Sequence, residues 1–212
     1  MRANFADQEF FNLLKEAGCR QVGFGLEAGD PEVLKSIKKN ITIQQMIQTL
    51  KFAKNAGIIT AVNFIIGHPN ETYQQAKKSI ALARSLPADE FFFFSMIPYK
   101  GTEAYDELKK QETEGKVKFL YDYEGYLFQS SANSIWPVYE SREFTKKQRE
   151  KLLRQGRALQ IKSVFLNRYG KLLGYIFFML FNSNYLYQLA NRIRQTTLGG
   201  RINKCINRVF MK

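Results

Sequence analysis

Asn63-Phe64-Ile65-Ile66-Gly67-His68-Pro69-Asn70-Glu71 decides how the chain is read, because an unbroken apolar run stops there at a glycine and polar residues follow. A run this short, rich in β-branched and aromatic side chains and closed by a turn signal, predicts a strand buried on both faces, as in parallel sheets. Gly67 allows a sharp turn or the close approach of a ligand, Pro69 stiffens the turn, and Asn70 is placed to cap a helix whose first turn carries Glu71. The stretch reads as a strand-to-helix corner, where α/β proteins keep their chemistry.

Outward from this corner the pattern repeats. Asp7 precedes Phe10, Phe11, Leu13, Leu14 and Ala17 at three- and four-residue steps, with Gly18 as the stop. A strand over 21–26 ends in Glu27-Ala28-Gly29, and Asp30-Pro31 supplies a cap followed by proline at the first helical position. Thr42 and Gln45 have the spacing of a capping box ahead of Ile43, Met46, Ile47, Leu50 and Ala53 on one helix face. After Gly57 come a strand over 58–66, a helix over 71–86 and a third strand over 90–97 with four consecutive phenylalanines, closed by Pro98-Tyr99-Lys100-Gly101-Thr102. Right-handed crossovers fold such alternation into a barrel segment or a doubly wound sheet. The alternation fails after about residue 110. The aromatic-rich stretch 116–131 predicts a hairpin turning at Glu124-Gly125, and the reading is helical from Thr145 onward.

Composition excludes several classes. The net charge of +13 is confined to one end: residues 1–141 hold 16 Lys+Arg against 17 Asp+Glu, residues 142–212 hold 16 against 2. Cys19 and Cys205 are too few and too far apart for a disulfide framework, and cannot supply the ligands of an iron-sulfur cluster or structural zinc. A reducing cytoplasm is the expected setting. No secretory leader is visible after Met1, and the longest apolar stretch, 172–181, is about half the ~20 residues of a spanning helix.

Ligands of parallel α/β folds lie beyond the carboxyl ends of the strands, which here means Glu27-Ala28-Gly29, 67–71 and 98–102. Glu27, directly after a buried strand, could bond a ribose or an amine, or simply form a salt bridge. Gly67 also reads as a turn glycine, Glu71 as a first-turn helix carboxylate favoured by the dipole, and His68, the only histidine, as a loop residue. No Cys or His lies near His68 at metal spacing, and no Ser and Asp accompany it as a triad.

Taken together, three stretches resemble successive landmarks of radical SAM enzymes: Val22-Gly23-Phe24-Gly25-Leu26-Glu27-Ala28-Gly29, Phe64-Ile65-Ile66-Gly67-His68-Pro69-Asn70-Glu71-Thr72, and Pro98-Tyr99-Lys100-Gly101-Thr102. The nearest branch carries a cobalamin-binding domain before the barrel and includes anaerobic cyclases and lipid methylases. The resemblance implies a partial (β/α) barrel over 1–115 containing about the last three strands, an aromatic connector over 116–141 and a basic helical region over 142–212. It implies S-adenosylmethionine as cofactor, with Glu27 on its ribose or methionyl part, Gly67 and the neighbouring Glu71 supporting the adenosyl group, and backbone at Ile97, Pro98 and Tyr99 meeting adenine. Arg2 matches an arginine that faces the cofactor. A 4Fe-4S cluster and cobalamin belong to the intact family architecture, yet the CxxxCxxC loop that holds the cluster is absent from these residues. The expectation is therefore the carboxy-terminal half of such an enzyme, acting with an amino-terminal cluster-bearing half and inactive alone. Both faces of its first strand should be uncovered and one sheet edge open.

The basic region mixes Arg168, Lys171, Arg192 and Arg194 with Tyr169, Leu172, Leu173, Tyr175, Ile176, Phe177, Phe178, Leu180 and Phe181. It suits an anionic membrane surface, which would make the protein peripheral on the inner face, or packing against the barrel with a solvated basic face. Its apolar stripe is too heavy for a simple nucleic-acid surface. Three functions stay open: an enzyme half acting on a lipid, isoprenoid or tetrapyrrole-like substrate, a non-catalytic membrane-surface or interaction module that keeps the scaffold, and an unrelated α/β enzyme with its site at Glu27.

Overall fold

A computed structural model describes residues 1, 3, 6–129 and 136–182. Contacts divide the chain into two compact units, Met1–Val164 and Phe165–Lys212.

The first unit is built on three parallel strands in the order β1 (Gln21–Glu27), β2 (Ile59–Ile66) and β3 (Glu90–Ser95). α1 (Gln8–Glu16) precedes β1, α2 (Pro31–Ser36) and α3 (Ile43–Asn55) connect β1 to β2, and α4 (Tyr73–Ala83) connects β2 to β3. The capping signals act as their chemistry requires. Asp7 accepts from Phe10 N, Asp30 accepts from Glu32 N and Val33 N, and Thr42 with Gln45 closes a full capping box. The helix after β2 departs from expectation: Thr72, not Asn70, is its N-cap, paired with Gln75, and Asn70 instead takes φ 62° in the turn before it. A threonine at the cap with glutamine three residues on satisfies two backbone donors, whereas Asn70 tolerates the left-handed turn.

The outer sheet face is fully covered. Phe24, Leu26, Val62, Phe64, Ile66, Phe91 and Phe93 are buried there; Phe64 stacks on Phe93 at 5.1 Å, and Phe11 of α1 meets Phe24 edge-on at 6.4 Å. This corrects the expectation that the first strand has both faces uncovered, because α1 packs over it. Burial of α1 is narrow, with Phe11 inside while Phe10 and Leu13 stay exposed. The inner face is the open one. Gly25, Asn63 and Phe92 stand side by side across the three strands, as do Gly23, Ala61 and Glu90, and all but Ala61 are half-buried or exposed.

The two sheet edges differ. On β1, the Met1 amino group donates to the Gly23 carbonyl at 2.8 Å at an exposed position. On β3, Ser163 Oγ accepts the buried N–H of Phe91 at 3.1 Å, and Gly156 lies against the Phe93 ring. Both Gly156 and Ser163 belong to α7 (Lys146–Asn182), so that helix shields the β3 edge.

After β3 come α5 (Glu103–Thr113), β4 (Val117–Phe119), α6 (Tyr123–Gln129) and β5 (Tyr139–Ser141). The predicted turn at Glu124-Gly125 is not there, since both residues lie in α6. β4 instead pairs antiparallel with β5, matching Phe119 with Tyr139. Asp122 accepts from Gly125 N and starts that helical turn, so the local hydrogen bond overrides the aromatic alternation.

The second unit is described as far as Asn182. Gly170, at φ 75° and ψ 174°, breaks the helical path, and the arm beyond it folds back: a Cβ on Gly174 would sit 2.5 Å from the Phe165 carbonyl oxygen. Phe177 meets Tyr169 at 4.8 Å and Phe165 at 6.1 Å. Twelve residues of straight helix would hold the last pair about 18 Å apart, so the segment is a helical hairpin. The side chains of Leu180 and Phe181, and Arg192 and Arg194, which were expected to flank the apolar stripe, lie outside the described residues.

Candidate functional site

The carboxyl ends of three adjacent parallel strands necessarily face one way, and this brings the predicted corners together. At the end of β1 the register slips between Gly25 and Glu27, and Glu27 adopts φ 77°. That left-handed backbone lets its side chain fold back over the inner face, so that a Cβ on Gly25 would lie 2.1 Å from Glu27 Oε1. Glycine at position 25 is what leaves the carboxylate its place. Glu27 Oε1 takes an ion pair from Lys39 Nζ at 3.2 Å, both side chains partly buried.

At the end of β2, Gly67 has φ +96°, which glycine adopts without strain. Glu71 lies before the helix cap, and its Oε2 accepts Gly67 N at 2.7 Å and His68 N at 3.1 Å. It is therefore a brace for the corner rather than a first-turn helix residue. Burial pushes its carboxyl up to about 7 against these bonds, and its Oε1 has no hydrogen-bond partner. His68 is buried rather than a free loop side chain: Nε2 lies 3.4 Å from the Glu27 carbonyl oxygen, linking the first two corners. Burial lowers its pKa to about 4, so the ring is neutral near pH 7.

The third corner is joined through the backbone, where Met96 N donates to the Ile66 carbonyl. Ile97 is partly buried, Pro98 is buried and Tyr99 is half exposed. The Tyr99 carbonyl accepts from Thr102, whose side chain caps α5. Arg2 lies outside the described residues.

Sequence reasoning missed the residues that hold the second corner from behind. Arg149 Nη1 donates to the Gly67 carbonyl at 3.3 Å, its Nε donates to the Phe144 carbonyl at 3.0 Å, and its guanidinium stacks over Tyr139 and Phe144. The Tyr139 hydroxyl donates to the same Gly67 carbonyl. Nothing local marks Arg149 among the lysines and arginines around it. Behind the corner, Glu71, Gln111, Lys116, Tyr139, Arg142 and Arg149 help line a cavity of about 360 Å³.

Chemically, the open inner face offers at its carboxyl end the Glu27 carboxylate, Gly25 of β1 and the backbone turn at Gly67, which fits the sugar and amino-acid parts of a nucleoside ligand. An iron-sulfur cluster does not fit. The sequence has two cysteines, and among the described residues no three His, Cys, Asp or Glu side chains converge.

A half-barrel of parallel strands with loop chemistry at their carboxyl ends defines an α/β barrel-type protein. Residues 3–83 match the radical SAM superfamily. The chain is 32% identical over 154 residues to an uncharacterized methyltransferase of Pyrococcus horikoshii, covering 73% of this chain and 31% of that protein. It is 28% identical over 122 residues to the anaerobic magnesium-protoporphyrin IX monomethyl ester cyclase of Rubrivivax gelatinosus, covering 58% and 21%. The fold resembles that of the radical S-adenosylmethionine methyltransferase TsrM of Kitasatospora setae, with a TM-score of 0.50 at 22% identity over 57% of this chain and 24% of that one. The chain thus spans less than a third of these relatives. Among the described residues no helix is long and apolar enough to cross a membrane.

Proposed function

We propose that this chain supplies the S-adenosylmethionine-contacting wall of a radical SAM enzyme, a methyltransferase or cyclase, and works with a cluster-bearing segment on the same or another polypeptide. The observation that supports this most is the meeting of Glu27, Gly67 and His68 at one end of an open inner face. Glu27 would hold a ribose hydroxyl or the ammonium of the methionyl group; backbone at Gly67, Ile97, Pro98 and Tyr99 would border the adenosyl part, and Arg2 would face the cofactor. Glu71 acts one step back, fixing the Gly67 and His68 amides. Bound S-adenosylmethionine supplies an electrophilic sulfonium. The cluster, and cobalamin if the whole enzyme uses it, come from elsewhere, so this chain alone does not cleave the cofactor. The substrate class is a lipid or tetrapyrrole-like molecule, and the setting is the reducing cytoplasm.

Isotope-edited NMR of the chain with S-adenosylhomocysteine tests this. Shifts at the amides of Glu27, Gly67 and His68 that vanish in Glu27→Gln support the reading, and unchanged amides at millimolar ligand overturn it. A cluster signal in electron paramagnetic resonance after reconstitution of this chain alone would contradict the donor count.

A second reading, a non-catalytic module that keeps the scaffold, is favoured by the ion pair that already engages Glu27 with Lys39. It predicts that Lys39→Ala gains no affinity for the ligand.

A further inference from the structure

We propose that the helical hairpin of the second unit docks on an anionic lipid surface, inserting the face formed by Leu172, Leu173, Ile176 and Met179. From 172 to 181 the chain carries no charged side chain, and the Tyr175 hydroxyl is its one polar side-chain group. One side of this arm is used internally, where Gly174 and Phe177 close against Phe165 and Tyr169. On the other side Leu172 is 77% exposed, Leu173 54%, Ile176 47% and Met179 57%. Ten residues of helix are about 15 Å long, half a hydrocarbon core, so the arm can lie in the interface and cannot span.

Charge selects the occupant. Residues 142–212 hold 16 Lys+Arg and 2 Asp+Glu, and Lys171 opens the apolar arm at an exposed position. A second copy of the chain would bring the same positive field and be repelled, whereas a leaflet containing acidic headgroups attracts it and buries the apolar face in the same step. Gly170 is the geometric device. Its left-handed backbone turns the apolar arm back, so the arm is displayed as a short wedge instead of extending the basic helix.

The inference stands apart from the cofactor reading, and its test does not involve S-adenosylmethionine. The full chain is sedimented with phosphatidylcholine vesicles and with vesicles of phosphatidylcholine and phosphatidylglycerol. Binding to the acidic vesicles, falling as salt rises and weakened at least about tenfold in Leu172→Asp/Ile176→Asp, supports the proposal. Because these side chains are exposed, the variant should keep the parent circular dichroism and melting temperature; Lys171→Gln, which removes one charge and leaves the apolar face intact, should weaken binding by about fivefold, at roughly 1 kcal/mol per charge. No binding to acidic vesicles overturns it, as does equal binding by parent and double variant. A dimer in sedimentation equilibrium that the double variant dissociates overturns it in favour of self-association.

Discussion

Arg149 donates from Nη1 to the carbonyl oxygen of Gly67 at 3.3 Å, across 82 residues of sequence, and so ties the long helix to the corner that ends the central strand. Gly67 has no room for a side chain, because a Cβ there would lie 2.1 Å from that nitrogen, and its φ is +96°. Gly67→Ala therefore meets both backbone strain and displacement of a buried guanidinium. The expected loss is about 2–4 kcal/mol, read as a lower urea midpoint.

Arg149→Lys should not rescue what Arg149→Ala loses. Nε serves Phe144, Nη1 serves Gly67, and the flat face lies 4.2 Å from the Tyr139 ring and 4.4 Å from that of Phe144. An ammonium reproduces one of these interactions. Both variants should lose about 2–4 kcal/mol in denaturant unfolding, within about 1 kcal/mol of each other.

Glu71 gives stability a pH signature. Its folded pKa is raised to about 7 from 4.5. Below about 4.5 the group is protonated in both states and carries no penalty. Between 4.5 and 7 only the unfolded chain ionises, so this group lowers stability as pH rises, by at most about 3 kcal/mol. Glu71→Gln keeps an acceptor for Gly67 and His68 but cannot ionise, so its stability relative to the parent should climb from pH 4.5 to pH 7 and then level. His68, lowered to about 4 from 6.5, acts oppositely in both proteins, removing stability as pH falls from 6.5 toward 4. The difference between parent and variant isolates Glu71. A flat difference across that window would mean that the carboxylate is not held in a dry site.

Gly156→Ala sets helix propensity against packing. Alanine should favour α7 by about 1 kcal/mol. Its Cβ would lie 2.4 Å from Phe93 Cγ, in a core where Phe93 is stacked on Phe64. Packing should win, with a net loss of about 1–3 kcal/mol by thermal unfolding.

Lys39→Ala separates fold from site. The ion pair with Glu27 is partly exposed, so stability should change by less than about 1 kcal/mol. On the enzyme reading the freed carboxylate binds S-adenosylhomocysteine more tightly, by calorimetric titration.

The strands and caps were legible because their signals are local. Asp7, Asp30 and Thr42 act on donors two or three residues away, and the alternation of 21–27, 59–66 and 90–95 encodes their parallel order. Where a local reading failed, a competing local bond or a distant partner had won. Thr72 with Gln75 displaced Asn70 as cap, and Asp122 turned the Glu124-Gly125 stretch into helix. The place of Glu27 at the end of a buried strand, at one of the three corners, was legible. Its link to His68 and its engagement by Lys39 were not, because neither partner is marked by spacing.

The sequence by itself determined alternating strands and helices of a parallel α/β sheet with three loop corners at one sheet end, the charge asymmetry, and the shortage of cluster ligands, since period, caps and composition act over a few residues; the choice of a half-barrel over a doubly wound sheet was implied by the resemblance to radical SAM enzymes. Only the tertiary structure decided that Glu71 braces Gly67, that Arg149 and Tyr139 converge on its carbonyl, that α7 shields the β3 edge through Ser163, and that Gly170 exposes an apolar arm. Those outcomes depend on contacts between residues far apart in the chain, and burial, which sets their strength and their protonation, exists only once the chain has closed.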